Sequence, residues 1–450
     1  MTRRLAVFGA AVAVAAAGMM LGMAPRASAQ DWFTTGTGLG VTKVRLAVPE
    51  TAVRGSAAQP FQKTFHDVLW GDLSYSGIVD MVSESFYPLS APSQPSELNA
   101  QQWSAQPCNA YMVAYGNLNV NGTNLSLAGY LSDVHGQTAT TALQKIYTDA
   151  ATDAGARKLA HKFADDIVAL LSGGQPGIAQ TQIAYVSAHN GDKEIWAMDY
   201  DGANQRQLTH LRTISLTPRW SPDASRIAFT CYVPYRGAPS AQICMYSMLT
   251  NRLIAFPHFP GTNAAPAWSP DGTKLAFMSS RGGDTELYVA NADGTHMQQI
   301  TYAAGVNTSP VFNPKTGQQI VFVSDRVGDP VLYLANTDGS NAQKIDLPDM
   351  GYVVDPAWSP NGQLLAFSWR RPTGNYDIYV MDIVSHQLVE LTKDEGRNER
   401  PTWAPDGRHI AFESTRTGTN EIWEMLADGS QPRELTFHGE NESPNWSPKD

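Results

Sequence analysis

Pro266-Ala267-Trp268-Ser269-Pro270-Asp271-Gly272 is the stretch whose reading decides the fold. Variants of it stand at Pro218-Arg219-Trp220-Ser221-Pro222-Asp223, Pro310-Val311-Phe312-Asn313-Pro314 and Pro356-Ala357-Trp358-Ser359-Pro360-Asn361-Gly362. Two more are Pro401-Thr402-Trp403-Ala404-Pro405-Asp406-Gly407 and Pro444-Asn445-Trp446-Ser447-Pro448. The six aromatic positions are separated by 48, 44, 46, 45 and 43 residues, the spacing of four-stranded propeller blades. In the S-P-D-G form Pro fixes the first corner of a turn, Asp bonds the local backbone and Gly takes the positive φ that closes it. The aromatic ring fills the gap between neighbouring sheets. The repeated residues are therefore read as architecture rather than as catalytic groups.

Outward from the turn, each repeat continues with a short apolar strand, such as Leu275-Ala276-Phe277 or Ile410-Ala411-Phe412. A third strand follows a polar loop, as at Glu286-Leu287-Tyr288 and Glu421-Ile422-Trp423, and Asp-Gly turns recur at 293–294, 338–339 and 428–429. The alternating apolar positions fit strands stacked between blades. The phase of the repeats sets the closure. The unit from Ile183 to Thr209 has no preceding P-x-W strand, and the unit ending at Asp450 has only that strand. Each end supplies what the other lacks, so residues 181–450 are expected to form six blades, the sixth sewn from both ends. Such closure leaves no exposed sheet edge.

Residues 41–172 read differently. Lys43 to Val48 alternates as a strand, and Phe61 to Tyr75 carries helical apolar spacing through Phe65, Leu69 and Leu73. Residues 88–101 read as a loop, Ala110 to Tyr115 as a buried strand, and Asn121-Gly122 as a hairpin turn into Leu125–Leu131. Asp153 to Leu171 is a long amphipathic helix stopped by Gly173-Gly174. The fold expected is a small N-terminal α/β domain, a linker at 173–180 and a six-bladed all-β propeller of WD40-like repeats.

The 450 residues are 42% hydrophobic and 16% charged, with 37 Gly and 28 Pro, a balance of turns and short strands rather than disorder. Residues 1–29 read as a signal peptide: Arg3 and Arg4, then Leu5 to Met23 apolar, then Ala27-Ser28-Ala29 before a cut expected ahead of Gln30. Removing them takes the net charge from −10 to −13, which argues against nucleic acid as a partner. No later segment is long and apolar enough for a membrane span. Residues 30–40 form a Gly-rich arm that carries Trp32 and Phe33.

Cys108, Cys231 and Cys244 are too few for a disulfide framework and lack the spacing of a metal or redox site. Cys231 and Cys244 flank a hairpin turn. A symmetric hairpin centred between 237 and 238 would place them opposite each other, close enough to bond; the alternative is two separate small core residues. Cys108 reads as an unpaired buried residue.

The leader, the α/β domain and six P-x-W-S-P-D-G blades together resemble the TolB family, over essentially the whole chain. The resemblance implies a non-enzymatic periplasmic scaffold of the Tol-Pal system. It implies a Pal lipoprotein partner on one propeller face and a TolA partner held by the 30–40 arm through Trp32 and Phe33. Such a system maintains outer-membrane integrity and assists constriction in cell division.

Four loops entering the inner strands share N-x-x-P, at Asn263–Pro266, Asn307–Pro310, Asn398–Pro401 and Asn441–Pro444. The resemblance places Pal contacts in these loops at Thr262, Ala265 and Thr308. Asn263 and Asn307 are added as face residues, with the alternative that they only bond turn backbone. Arg400 and Glu442 are added as rim charges that steer a partner. No metal or cofactor is expected. The rival classes are a propeller hydrolase or lyase, and a small-ligand-binding propeller. A prolyl-oligopeptidase-type enzyme needs a G-x-S-x-G elbow, which is absent, and the sequence ends two residues after the sixth Ser-Pro. His189, His210, His258 and His438 are read as loop or surface residues.

Overall fold

The computed structural model describes residues 42–349, 351–371 and 374–449. The expected leader (1–29) and arm (30–40), with Trp32 and Phe33, lie outside the described residues.

The first unit is a twisted sheet with helices on one side. Its strands are β1 (Val44–Ala47), β2 (Ala52–Arg54), β3 (Val79–Met81), β4 (Met112–Asn121), β5 (Asn124–Asp133) and β6 (Thr140–Ala150), in the order β3-β1-β4-β5-β6 with β2 also on β4. Helices α1 (Gln59–Tyr75) and α3 (Asp153–Leu171) cover one face; α2 (Ala100–Ser104) lies on the other side. Pro60 opens α1, and the Thr152 hydroxyl accepts from the Gly155 amide to cap α3. Period-two alternation sorts β4: Ala114 and Leu118 join Phe65, Leu69 and Phe163 on the helix side, while Val113 and Tyr115 pack with Trp103 and Cys108 on the other. Cys108 is buried and free.

Three elements differ from the sequence reading. β6 was not expected, because Thr140–Ala150 is polar and mostly exposed along the sheet edge. β2 and β3 are three-residue strands with too little pattern to read. The loop expected at 88–101 ends inside α2, whose start is capped by Asn99.

The six blades are four-stranded antiparallel sheets. Their inner strands are Ser215–Trp220, Asn263–Trp268, Asn307–Phe312, Tyr352–Trp358, Asn398–Trp403 and Asn441–Trp446, taken below as blades one to six. Blade six joins Asn441–Trp446 to Gln182–Ser187, Glu194–Asp199 and Arg206–Gln207, so the ring is closed by both ends of the repeat region. The aromatic of each P-x-W is buried, from Trp446 at 4% exposure to Trp268 and Trp358 at 8%, between the sheets it separates. In the turn after Trp268, the Ser269 hydroxyl donates to Asp271, whose carboxylate accepts the Thr273 amide, and Gly272 takes φ 67°.

The inner strands share a feature that the sequence does not announce. The residue before each P-x-W proline adopts the left-handed region: Thr217, Ala265, Ser309, Asp355, Arg400 and Ser443, with φ between 50° and 55°. A β-bulge in the pairing accompanies each one. The bulge frees an amide, and the preceding blade takes it in three cases: Ala265 donates to the Thr230 hydroxyl, Arg400 to Ser368 and Ser443 to the Glu413 carboxylate.

The hairpin of blade one corrects the cysteine geometry. Tyr235 pairs with Ala238, so the two-residue turn is Arg236-Gly237, with φ 51° and 90°. Its centre is one residue earlier than expected, because Gly237 fills the second positive-φ position. Cys231 therefore faces Gln242, and Cys244 faces Phe229. The cysteines are diagonal neighbours on one face of the hairpin, with Cα atoms 5.8 Å apart, joined by a disulfide.

Candidate partner-binding face and channel

Antiparallel blades put their turns on two opposite faces. One face carries the turns after the inner strands and those before the outermost strands, and the α/β domain sits on it. His409 Nε2 lies 2.6 Å from the Tyr75 carbonyl at the end of α1, and His409 Nδ1 lies 2.8 Å from Asp406 Oδ2. Both partners are acceptors, so both ring nitrogens carry protons and the imidazole is a cation. Burial alone would raise the Asp406 pKa, but the His409 and Arg408 charges outweigh it and hold the carboxyl at about 2. For His409, burial opposes the charge, and Asp406 overrides it and pushes the pKa up. Asp72 accepts from His161 within the domain and from the Tyr200 hydroxyl of the propeller, at 2.8 and 2.5 Å. Arg157 pairs with Asp201 at 2.6 Å, Lys449 with Asp165 at 3.0 Å, and Arg433 lies over the Tyr75 ring.

The opposite face is open. It gathers the loops that lead into the inner strands and the loops between the second and third strands of each blade. Ile214, Tyr302, Val306, Val327 and Phe437 are exposed there, at 43% to 78%. The ten-residue strands Arg226–Tyr235 and Ala238–Ser247 extend toward it, against six or seven residues in the corresponding strands of the other blades. The Ser240 hydroxyl donates to the Gly261 carbonyl and ties this hairpin to the loop that carries Thr262.

The structure distributes the expected face residues unevenly. Thr262 is exposed, Ala265 and Thr308 are half-buried, and the Thr308 hydroxyl lies 3.1 Å from Met278 Sδ. Asn263 and Asn307 require correction: both are 0% exposed and face the interior. The Asn263 amide donates to the carbonyls of Phe259 and Gly261 and its oxygen accepts from Ser279; Asn307 bonds Glu286 and Arg326. They hold the entry loops, and the adjoining side chains form the surface. Asn398 and Asn441 do the same, donating to Asp377 and Glu421.

Arg400 and Glu442 also require correction as free rim charges. The strand carries both inward past the mouth. Arg400 Nη1 pairs with Glu413 at 2.9 Å and Glu442 at 3.4 Å, and Glu442 also takes Lys193 at 2.7 Å. Burial pushes the Glu413 carboxyl up to about 7 against the pull of Arg400. His189, His210, His258 and His438 are exposed on separate loops. Among the described residues, no group of three or more His, Cys, Asp or Glu is placed to hold a metal ion, and no helix is long and apolar enough to cross a membrane.

Between the faces runs the central channel, a cavity of about 380 Å³ walled by the six repeat aromatics and five of the six inner-strand prolines. Three charged residues line it: Arg219, Asp355 and Arg400. Arg219 is the residue between Pro and Trp in the first repeat. Its neighbours in the other blades are Ala267, Val311, Ala357, Thr402 and Asn445, so alignment of the repeats alone would have singled it out.

The architecture is that of a two-domain propeller protein with one occupied and one open face, and the comparisons place it further. A family model described as the TolB beta propeller domain matches residues 171–353 and 349–450, and one described as the TolB amino-terminal domain matches residues 37–140. The chain belongs to the TolB family. It is 35% identical over 201 residues to a TolB homologue of Chlorobium chlorochromatii, covering 45% of this chain and 43% of that one. It is 30% identical to the Tol-Pal system protein TolB of Bordetella pertussis, covering 62% of this chain and 60% of that one. The corresponding protein of Gluconobacter oxydans is 32% identical, with 66% and 67% covered. The chain thus spans 43% and 60% of the length of the Chlorobium and Bordetella relatives. All three relatives carry TolB or Tol-Pal names rather than the names of enzymes. The crystal structure of TolB from Acinetobacter baumannii shares the fold, with a TM-score of 0.77 at 23% identity over 91% of this chain and 98% of that one.

Proposed function

We propose that this chain is a non-enzymatic scaffold of a Tol-Pal system, working in the periplasm after removal of residues 1–29. In this reading a Pal lipoprotein docks on the open propeller face, and TolA is held by the 30–40 arm through Trp32 and Phe33. Linking the two would support outer-membrane integrity and envelope constriction during division. The domain boundaries that go with it are 41–172, a linker at 173–180 and a propeller from 181. The observation that carries the reading is the asymmetry of the propeller faces in a chain of this family. One face is filled by the α/β domain, and the other offers exposed apolar side chains round a mouth, the composition expected of a partner site.

Binding of Pal to Ala265→Arg and Thr308→Arg variants tests the face. Arg400 occupies in blade five the position that Ala265 holds in blade two, with the same φ of 53°, so the backbone accepts an arginine there. The expected result is at least about a tenfold loss of affinity with unchanged circular dichroism. Unchanged affinity in both variants removes this face from the proposal. Deletion of Gln30–Gly40 is expected to abolish TolA binding while preserving the melting temperature.

A further inference from the structure

The channel presents a charge arrangement that the docking of a partner on the rim leaves unused. Arg400 is matched by Glu413 and Glu442. Arg219 and Asp355 have no ion-pair partner among the described residues. The Arg219 guanidinium makes one hydrogen bond, from Nη1 to the carbonyl of its own neighbour Pro218 at 2.9 Å. Asp355 accepts one, from the Ser368 hydroxyl at 3.2 Å. The two residues stand on blades one and four, which are diametrically opposed in a ring of six, and both line the same cavity. A guanidinium carries five donors and a carboxylate about four acceptor sites, so most of the hydrogen-bonding capacity of each has no protein partner among the described residues, although the Asp355 charge also acts on Arg400 of the next blade. The Ser309 and Ser443 hydroxyls line the same space and donate to no protein group among the described residues.

We propose that the channel binds a small zwitterion, a short peptide or ω-amino acid whose carboxylate meets Arg219 and whose ammonium meets Asp355. The volume of about 380 Å³ lies in the range of small-molecule sites, which are walled mainly by apolar groups with a few placed polar ones. Charge selects the class. An anion alone satisfies Arg219 but leaves Asp355 facing it; a cation alone meets Asp355 but faces Arg219 and Arg400. A molecule with both charges at a separation neutralises both walls, and a peptide unit between them offers hydrogen bonds to Ser309 and Ser443. Burial, only partly offset by the distant Asp355 charge, pushes the Arg219 pKa down to about 10, in keeping with a cation short of a partner.

Titration calorimetry of the full mature protein with glycylglycine tests the site, with glycine, γ-aminobutyrate, acetate and methylammonium as separate arms. The expected result is saturable one-site binding of glycylglycine or γ-aminobutyrate, about tenfold or more tighter than acetate or methylammonium. Arg219→Gln and Asp355→Asn should each weaken it about tenfold, with melting temperatures unchanged. The ladder of chain lengths reads the gap between the two charges. Perturbation of channel indole resonances in the unsubstituted protein gives a second readout that does not depend on the variants folding. Absence of saturable binding by every zwitterion overturns the proposal. So does binding that survives both substitutions, and so does acetate binding as tightly as glycylglycine with Asp355→Asn silent, which would mark a plain anion site.

Discussion

The two faces of the propeller are made by turns of the same six repeats, and both bury charges, yet they differ in where those charges find partners: at the open face Glu286, Asp377 and Glu421 are bonded by propeller asparagines, and at the other face the contacts cross to the α/β domain. Beneath the α/β domain, Asp406, Arg408 and His409 are at most 7% exposed, and each pairs within the propeller or across to the domain. On the open face exposed apolar groups are scattered round the mouth beside exposed polar ones such as Thr262, while Asn263 and Asn307 are turned inward. A charge taken out of water needs a fixed partner, so a face built that way is committed to one neighbour. An exposed Ile or Phe makes no such demand and can await a partner that comes and goes. Permanent and transient docking are thus written in different chemistry on one scaffold.

The comparison breaks most easily at Asp406. Asp406→Ala leaves two buried cations, Arg408 and His409, without their carboxylate, and a loss of about 3–5 kcal/mol in denaturant unfolding is expected. A loss below about 1 kcal/mol would place the domain contact in the same energetic class as the rim. The Cys231–Cys244 link comes next. It closes a short loop in a hairpin that reaches the open face, and Cys231→Ser with Cys244→Ser should cost about 2–4 kcal/mol. Mass spectrometry of non-reduced peptides checks the link itself, and two free thiols would remove it.

Acidity separates the faces further. The folded pKa of His409 lies above its unfolded value of about 6.5. Its stabilisation is therefore complete below about pH 6.5 and is lost as the pH rises through the folded pKa, by about 1.4 kcal/mol for each unit of separation. Asp406, depressed to about 2, contributes above about pH 4 and fails only in strong acid. Urea midpoints from pH 6 to 9 should fall in the unsubstituted protein and fall less steeply in His409→Gln, where the raised Glu413 and His161 pKa values still lower stability over part of the same range; equal slopes would remove His409 as a titrating group. The smallest effect on stability belongs to the rim. Phe437→Ala and Thr262→Ala should each stay within about 0.5 kcal/mol of the unsubstituted protein, while Phe437→Ala weakens Pal binding by about 1–2 kcal/mol.

The ring was legible because its information is local and repeated. Pro, Trp and Asp-Gly recur at a fixed period, and the missing inner strand before Ile183 identifies Asn441–Trp446 as its replacement. The α1 and α3 helices were legible because apolar periodicity is local too, and α3 is also stopped by Gly173-Gly174 just beyond its end. The domain contact was not, because Asp72, His161, Tyr200 and His409 meet from distant positions with no spacing between them. The inward turn of Asn263 and Asn307 was one of two readings that the sequence left open. Their acceptors are backbone carbonyls of the entry loop and a carboxylate of the preceding blade, and an Asn that satisfies a loop reads in sequence like an Asn on its surface. Edge strand β6 was missed because an exposed strand loses the apolar alternation by which strands are recognised.

The seam in blade six also sets a clock. Gln182 and Ser447, bonded at 3.0 Å, are 265 residues apart in sequence, so blade six cannot form until Asn441–Trp446 has been synthesised. Joining ends so distant carries an entropic charge of roughly 5 kcal/mol from loop closure alone, met only when the inner strand zips into place. Until then Gln182–Ser187 keeps an unpaired edge, and the five complete blades form an open arc that can add a strand from another molecule. Folding of this propeller is therefore expected to be late and abrupt, with the final strand acting as a lock whose arrival, rather than the assembly of any single blade, fixes the moment at which the ring becomes safe from its neighbours.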